Sequence, residues 1–261
     1  SVMARREVIL SAGAGNTPKL LQLSGVGPAE FLQQLGVRVV HALDQVGENF
    51  QDHYMVRTIL RVKGVSTINH TARGLPLVGE IVKWLLGKPS VLTISPSVAY
   101  AFTKSRPDVP LNDLQFHFSP GSYASGVAGQ LDNFPGMTLG FYQLVPTSTG
   151  QVRARSRDPF ELPAVQPNYL QTELDQRAAI DGLRLSRRLL HSAPLMPYIE
   201  RDEFPPADAT TDDELLDCAR QRGTTGWHFM GTCSMGKVVD AELRVLGMES
   251  LRVVDASVMP T

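Results

Sequence analysis

The side chain best suited by type to do chemistry lies late in the chain, where His228 stands in the run Gly226, Trp227, His228, Phe229, Met230 and Gly231. An imidazole changes charge near neutral pH, so it can serve as a general base if it is kept neutral. Its neighbours are bulky apolar residues and small ones, which predicts a neutral, partly desolvated ring. The same pattern also fits a packed histidine, and residue type alone does not separate the two. Trp227 offers a flat face for stacking on a planar ring, or else a core side chain. Farther on, an apolar run through Val253 and Val254 ends in Asp255, Ala256 and Ser257.

Other candidates carry less. His53, after Gln51 and Asp52, reads as a loop anchor, and His117, between Phe116 and Phe118, reads as a core or solvent position before a cavity-lining one. His228 and Cys233 lack a second ligand pair at zinc spacing, so no metal is expected. Cys218 and Cys233 are too few for a disulfide framework and are expected to stay unpaired. Asn69, His70 and Thr71 form a glycosylation sequon, which has meaning only in a secreted protein.

Several elements must position these groups. Residues 7–12 form a short apolar run closing on small residues, which predicts a buried strand feeding a turn. Thr17 and Pro18 suit the N-cap and first position of a helix reaching Leu23, and Pro28 opens a second helix to Leu35, with a strand at 37–40 after it. Runs at 55–62, 98–102, 114–118, 137–144, 151–155 and 164–166 read as antiparallel strands with one covered face. An amphipathic helix at 75–86 and a long loop at 119–135 interrupt them. Apolar residues at helical spacing from Leu174 to Leu190 imply a long helix behind Thr172. Thr211 and Glu214 form a capping box for another helix, which Gly223 is placed to end, and 251–255 reads as a buried strand. The pattern is α+β / α/β, with a second domain built on an antiparallel sheet.

Composition removes whole classes. At 261 residues, 43% hydrophobic and 20% charged, the chain has ordinary globular usage and length for a sizeable core. A net charge of -1 with scattered Lys and Arg leaves no basic footprint for nucleic acid or an anionic membrane, so the expected partner is a small molecule. No apolar stretch reaches the length of a membrane span, and no targeting segment is legible after Ser1, which leaves the compartment open.

Residues 13–27, from Gly13, Ala14, Gly15, Asn16, Thr17 and Pro18 through Ser24, Gly25, Val26 and Gly27, match position by position a signature of the glucose-methanol-choline (GMC) family of flavin oxidoreductases. The chain resembles that family again at 46–53, around His228, and from Val253 to Pro260. The resemblance implies part of an FAD-binding Rossmann-like domain at 1–53, a substrate domain at 54–222 with an antiparallel sheet flanked by helices, and a return to the FAD-binding domain at 223–261. It implies an enzyme that oxidises the CH-OH group of an alcohol by hydride transfer to flavin N5, with His228 as base. Trp227 and His228 would lie against the isoalloxazine ring, with Asp255 and Ala256 near the ribityl and pyrophosphate portion, Ala256 through its backbone amide.

The chain departs from the family in two places. Gly13 and Gly15 are followed by Pro18 where a dinucleotide fingerprint would carry its third glycine. In the family that fingerprint lies before the position matching Ser1, and a second catalytic His or Asn lies beyond the one matching Thr261. The chain is therefore expected to be an internal fragment that needs the missing N-terminal FAD-binding portion, is inactive and flavin-free alone, and exposes an apolar edge at 7–12. Two alternatives stay open: a flavin-containing, non-redox member of the hydroxynitrile lyase type, and an inert truncated or split chain. Substrate identity, and oxidase against dehydrogenase, are not legible, although Trp227 favours a flat alcohol.

Overall fold

The computed structural model describes residues 3–95, 97–124 and 130–261. The chain forms two compact units, one of Ser1–His53, Val145–Asp175 and Thr225–Thr261, the other of Tyr54–Leu144 and Gln176–Thr224. The continuous middle segment expected at 54–222 is thus interrupted at 145–175. The reason is local: the strands Gln151–Arg153 and Ala164–Gln166 pair with each other, outside the larger sheet. Buried Gln22 then clamps the first of them, donating to the Val152 carbonyl at 3.0 Å and accepting from the Ala154 amide at 2.8 Å.

The first unit closes around Leu21, Val26, Val46, Cys233, Val238, Val239, Val245 and Val253. The strand Val8–Leu10 pairs in parallel with Leu251–Val253. Among the described residues it has this single partner strand and only Leu10 reaches the core, so the burial read from the apolar run does not hold, while Val8 and Ile9, 47% and 53% exposed, form the apolar edge expected at 7–12. The following helix runs Gly13–Leu23, starting earlier than the proline suggests, so Pro18 lies inside it. Proline cannot donate to the carbonyl four residues back. Thr232 does so instead, its hydroxyl meeting the Ala14 carbonyl at 2.7 Å. Thr232→Val is expected to cost about 1 kcal/mol in chemical denaturation, the ordinary price of a lost buried hydrogen bond. A second helix, Ala29–Gln34, follows Pro28 as expected. The strand expected at 37–40 is absent; His41–Ala42 pairs in parallel with Val26–Gly27 in its place.

Asp175 ties the 145–175 segment down, accepting from the Thr147 amide at 2.9 Å and the Ser148 amide at 2.7 Å. Burial pushes this carboxyl up, and hydrogen bonds from Ser148 and Thr147 outweigh that, so it titrates below the ordinary range. A depressed carboxyl contributes stability that is present above its unfolded-state pKa and is lost as pH falls through the folded value.

In the second unit the antiparallel sheet runs in the order Ile199–Phe204, Tyr54–Val62, Gly136–Gln143, Leu114–Ser119 and Ala99–Thr103. The helix Glu173–Leu190 covers one face, and Gly182 lies so close to the Phe141 ring that a Cβ there would stand 2.1 Å from it. Gly182→Ala would ordinarily raise helix propensity by about 1 kcal/mol, yet overpacking is expected to reverse the sign and destabilise by about 1–3 kcal/mol, read as a lower Tm.

The amphipathic helix at 75–86 is found as Gly74–Leu85 but inverted: its buried side chain is Glu80, and Leu75 and Leu85 are 86% and 70% exposed. Glu80 turns inward because its carboxylate accepts from Lys83 at 2.6 Å and from the Val91 amide at 2.8 Å. The capping box of Thr211 and Glu214 opens Asp212–Arg222 as expected. Gly223 ends it as expected, with its amide donating to the Ala219 carbonyl, and leaves room for the Tyr54 ring. Asn69 of the sequon is buried, and its amide donates to the Ser122 carbonyl at 2.8 Å. Residues 125–129 of the loop expected at 119–135 lie outside those described.

Candidate active site

His228 enters through two antiparallel segments of the first unit. Gln51 and Met230 exchange backbone hydrogen bonds at 3.0 and 3.1 Å, and the Gly226 amide donates to the His53 carbonyl at 2.7 Å. The approach at Gly226 demands glycine, since a Cβ would stand 2.8 Å from that carbonyl oxygen. Trp227 then adopts φ 62, a left-handed conformation costly for a bulky residue, held by its amide donating to the Thr225 hydroxyl at 2.9 Å. That kink presents two neighbouring side chains to solvent. Trp227 is 74% exposed and His228 is exposed.

The exposure corrects the expectation of a partly desolvated imidazole shielded by its sequence neighbours. Phe229 turns the other way, its ring 5.0 Å from Phe50. His228 is held from beneath by Asp52, a residue only 4% exposed. One oxygen accepts from the His228 amide at 2.8 Å. The other accepts from the Tyr169 and Thr225 hydroxyls, each at 2.5 Å.

His53, expected as a loop anchor, has a second part to play. Its Nδ1 lies 2.8 Å from Nδ1 of His228, with the rings perpendicular. One proton is shared between the two nitrogens, so one ring donates through Nδ1 and the other accepts.

Asp255 and Ala256 are joined to this segment by main chain. The amides of Gly231, Cys233 and Met235 donate to the carbonyls of Ala256, Ser257 and Val258 at 3.3, 2.8 and 2.9 Å. The Asp255 carboxylate caps the start of the helix Gly13–Leu23, accepting from the Gly13 amide at 3.0 Å and the Thr17 hydroxyl at 2.5 Å, and from the Ser257 amide at 2.8 Å. Negative charge is favourable at that helix end. Cys233 is buried beside this turn, and burial pushes its thiol up to about 12, which keeps it an inert core thiol. Cys218 is also free and buried.

The structure thus brings together His228, Trp227, His53 and Asp52, and joins Asp255 and Ala256 through the 231–235 segment. Sequence reasoning missed Asp52, Tyr169 and Thr225. Asp52 stood beside His53, but nothing local signals that its carboxylate lies under a histidine 176 positions later. Among the described residues no group of His, Cys, Asp or Glu could hold a metal ion, and no helix is long and apolar enough to cross a membrane.

The chain thus has one unit of mixed helices and short strands, in which Trp227 and His228 are exposed, and one unit built on an antiparallel sheet. Family models described as GMC oxidoreductase match residues 1–55 and 146–261, and the chain belongs to that family. An "Alcohol dehydrogenase [acceptor]" of Pseudomonas putida is 36% identical over 260 residues, spanning 97% of this chain and 47% of that protein. An "Oxygen-dependent choline dehydrogenase" of Staphylococcus xylosus is 36% identical over 269 residues, spanning 98% of this chain and 47% of that one. A structure of formate oxidase from Aspergillus oryzae RIB40, solved to study FAD modification, superposes with a TM-score of 0.90 at 25% identity, over 99% of this chain and 50% of that one. The chain spans about half the length of the curated relatives it matches.

Proposed function

We propose that the chain carries the catalytic base of an FAD-dependent oxidoreductase that oxidises the CH-OH group of an alcohol. The observation that supports this best is the mounting of His228: its amide rests on buried Asp52, and its Nδ1 meets His53 at 2.8 Å, with the imidazole exposed. A base must be oriented as well as basic, and a ring held at backbone and at one nitrogen satisfies the first condition.

The residues fit a flavin. Trp227 presents a broad exposed face next to an imidazole, as a planar ring requires. The Asp255 carboxylate, which would repel a pyrophosphate, has both oxygens committed to donors inside the chain. Asp255 thereby shapes the 255–257 turn, and Ala256 contributes its backbone amide. When bound, FAD supplies a hydride acceptor at flavin N5.

The chain's own steps are proton steps. For Nε2 of His228 to receive the alcohol's hydroxyl proton, the shared proton must reside on Nδ1 of His228, with His53 as acceptor. Protonation at Nε2 leaves that hydrogen bond intact, so the ring does not turn as it charges. The alcohol carbon becomes a better hydride donor as its oxygen loses the proton.

The test is to mix the full-length flavoprotein with alcohols under anaerobic conditions and follow the flavin absorbance. Bleaching by a primary alcohol is expected. A flavin band that persists while cyanohydrins are cleaved would replace the redox reading with the lyase one.

A further inference from the structure

Arg57 of the second unit lies in the strand Tyr54–Val62 opposite Gly140. On its other side Gly140 is opposite His117, and His117 is opposite Tyr100. A row of Tyr100, His117, Gly140 and Arg57 therefore crosses the sheet. Side chains alternate along a strand, so this row lies on the face away from Phe116 and Phe141, which carry the core.

Gly140 has no side chain to fill the row. The Arg57 stem borders that space, its Cγ 3.6 Å from where a Cβ would stand, with the Met55 sulfur at 3.7 Å. On the far side the His117 ring lies 5.0 Å from the rings of both Tyr100 and Tyr142, and Tyr100 is 54% exposed. Arg57 and these aromatic rings therefore lie along one row on the same face of the sheet.

Among the described residues Arg57 has no hydrogen bond or ion pair, whereas Arg61 in the same strand pairs with Glu203 at 2.7 Å. The strands Tyr54–Val62, Gly136–Gln143, Leu114–Ser119 and Ala99–Thr103 contain no Asp or Glu. Burial lowers the Arg57 pKa, and the Tyr123 phenol acts the other way. A partly desolvated guanidinium with five donors and no acceptor is costly to fold, and a planar anion is the partner that matches its geometry. We propose that Arg57 anchors the carboxylate of a small aromatic ligand whose ring lies against His117 and Tyr100. The site belongs wholly to the second unit and does not depend on whether His228 is a base.

The test is to titrate the 261-residue chain with sodium benzoate by calorimetry, with sodium acetate and benzyl alcohol as partial probes and choline as a cation. Saturable benzoate binding is expected, with acetate and benzyl alcohol each weaker by about tenfold or more and choline not binding. Loss of a charge-assisted pair should weaken benzoate by about tenfold or more in Arg57→Gln, with Arg57→Lys intermediate and Arg38→Gln unchanged. Circular dichroism confirms that each variant is folded. Equal benzoate affinity in native chain and Arg57→Gln, or no saturable binding to the native chain, overturns the proposal. Failure of the His228 reading would appear in the flavin experiment and leave this titration unaffected.

Discussion

Replacing His228 with Ala in the full-length flavoprotein is expected to slow flavin reduction by alcohol at least about hundredfold, while flavin content stays at the native level. The size follows from the step removed: without a positioned base the hydroxyl proton must leave to water, and the carbon donates hydride from a neutral alcohol. Flavin content should hold because the imidazole is exposed and carries none of the core packing around Val46, Cys233 and Val253. Stopped-flow reduction under anaerobic conditions reads the rate, and the absorbance ratio of flavin to protein reads the content. An unchanged reduction rate would remove His228 from the mechanism. His53→Gln should act in the same direction but more weakly, because it disturbs the partner of Nδ1 and leaves Nε2 in place.

Asp52→Ala is expected to produce the largest loss of stability, about 3 kcal/mol or more by urea denaturation of the chain. The carboxylate is buried and accepts from three donors, the His228 amide and the hydroxyls of Tyr169 and Thr225. Hydrogen bonds to a charged group contribute about 1.5–3 kcal/mol each, and the substitution leaves the three donors without their acceptor. Asp52→Asn should recover part of the loss, since its carbonyl still accepts from the His228 amide while its NH2 group faces the hydroxyls. A variant as stable as the native chain would mean that Asp52 is solvated and does not support His228.

Asp52 and Asp255 do comparable work with different legibility. Both are carboxylates whose acceptors are consumed inside the fold, one beneath a histidine and the other at a helix start. Asp255 is legible in the sequence because it ends an apolar run before a small-residue turn. Asp52 is not legible, because its partners lie 117, 173 and 176 positions away and no local pattern encodes them. The same distinction runs through the fold. The capping box at Thr211 and the strands at 54–62 and 114–119 depend on short-range rules and stand where the pattern puts them. Pro18 misplaced the helix start because a carbonyl that it leaves unsatisfied is met by Thr232, more than two hundred residues distant. The helix Gly74–Leu85 is inverted because Glu80 is held by the Lys83 ammonium and by the Val91 amide beyond the helix end, partners that helical spacing alone does not encode.

The amino-acid sequence by itself determined the family, the Trp-His candidate, the antiparallel sheet of the second unit and the helices that open on recognisable caps. These rest on periodicity, turn chemistry and residue order, which are properties of neighbouring positions. Only the tertiary structure decided that Trp227 and His228 project to solvent, that His53 shares a proton with His228, that Asp52 supports both segments, and that Arg57 shares a row across the sheet with Gly140, His117 and Tyr100. Each of those is a meeting of distant residues through space, and charge, hydrogen bonding and packing act over ångströms whatever the separation along the chain.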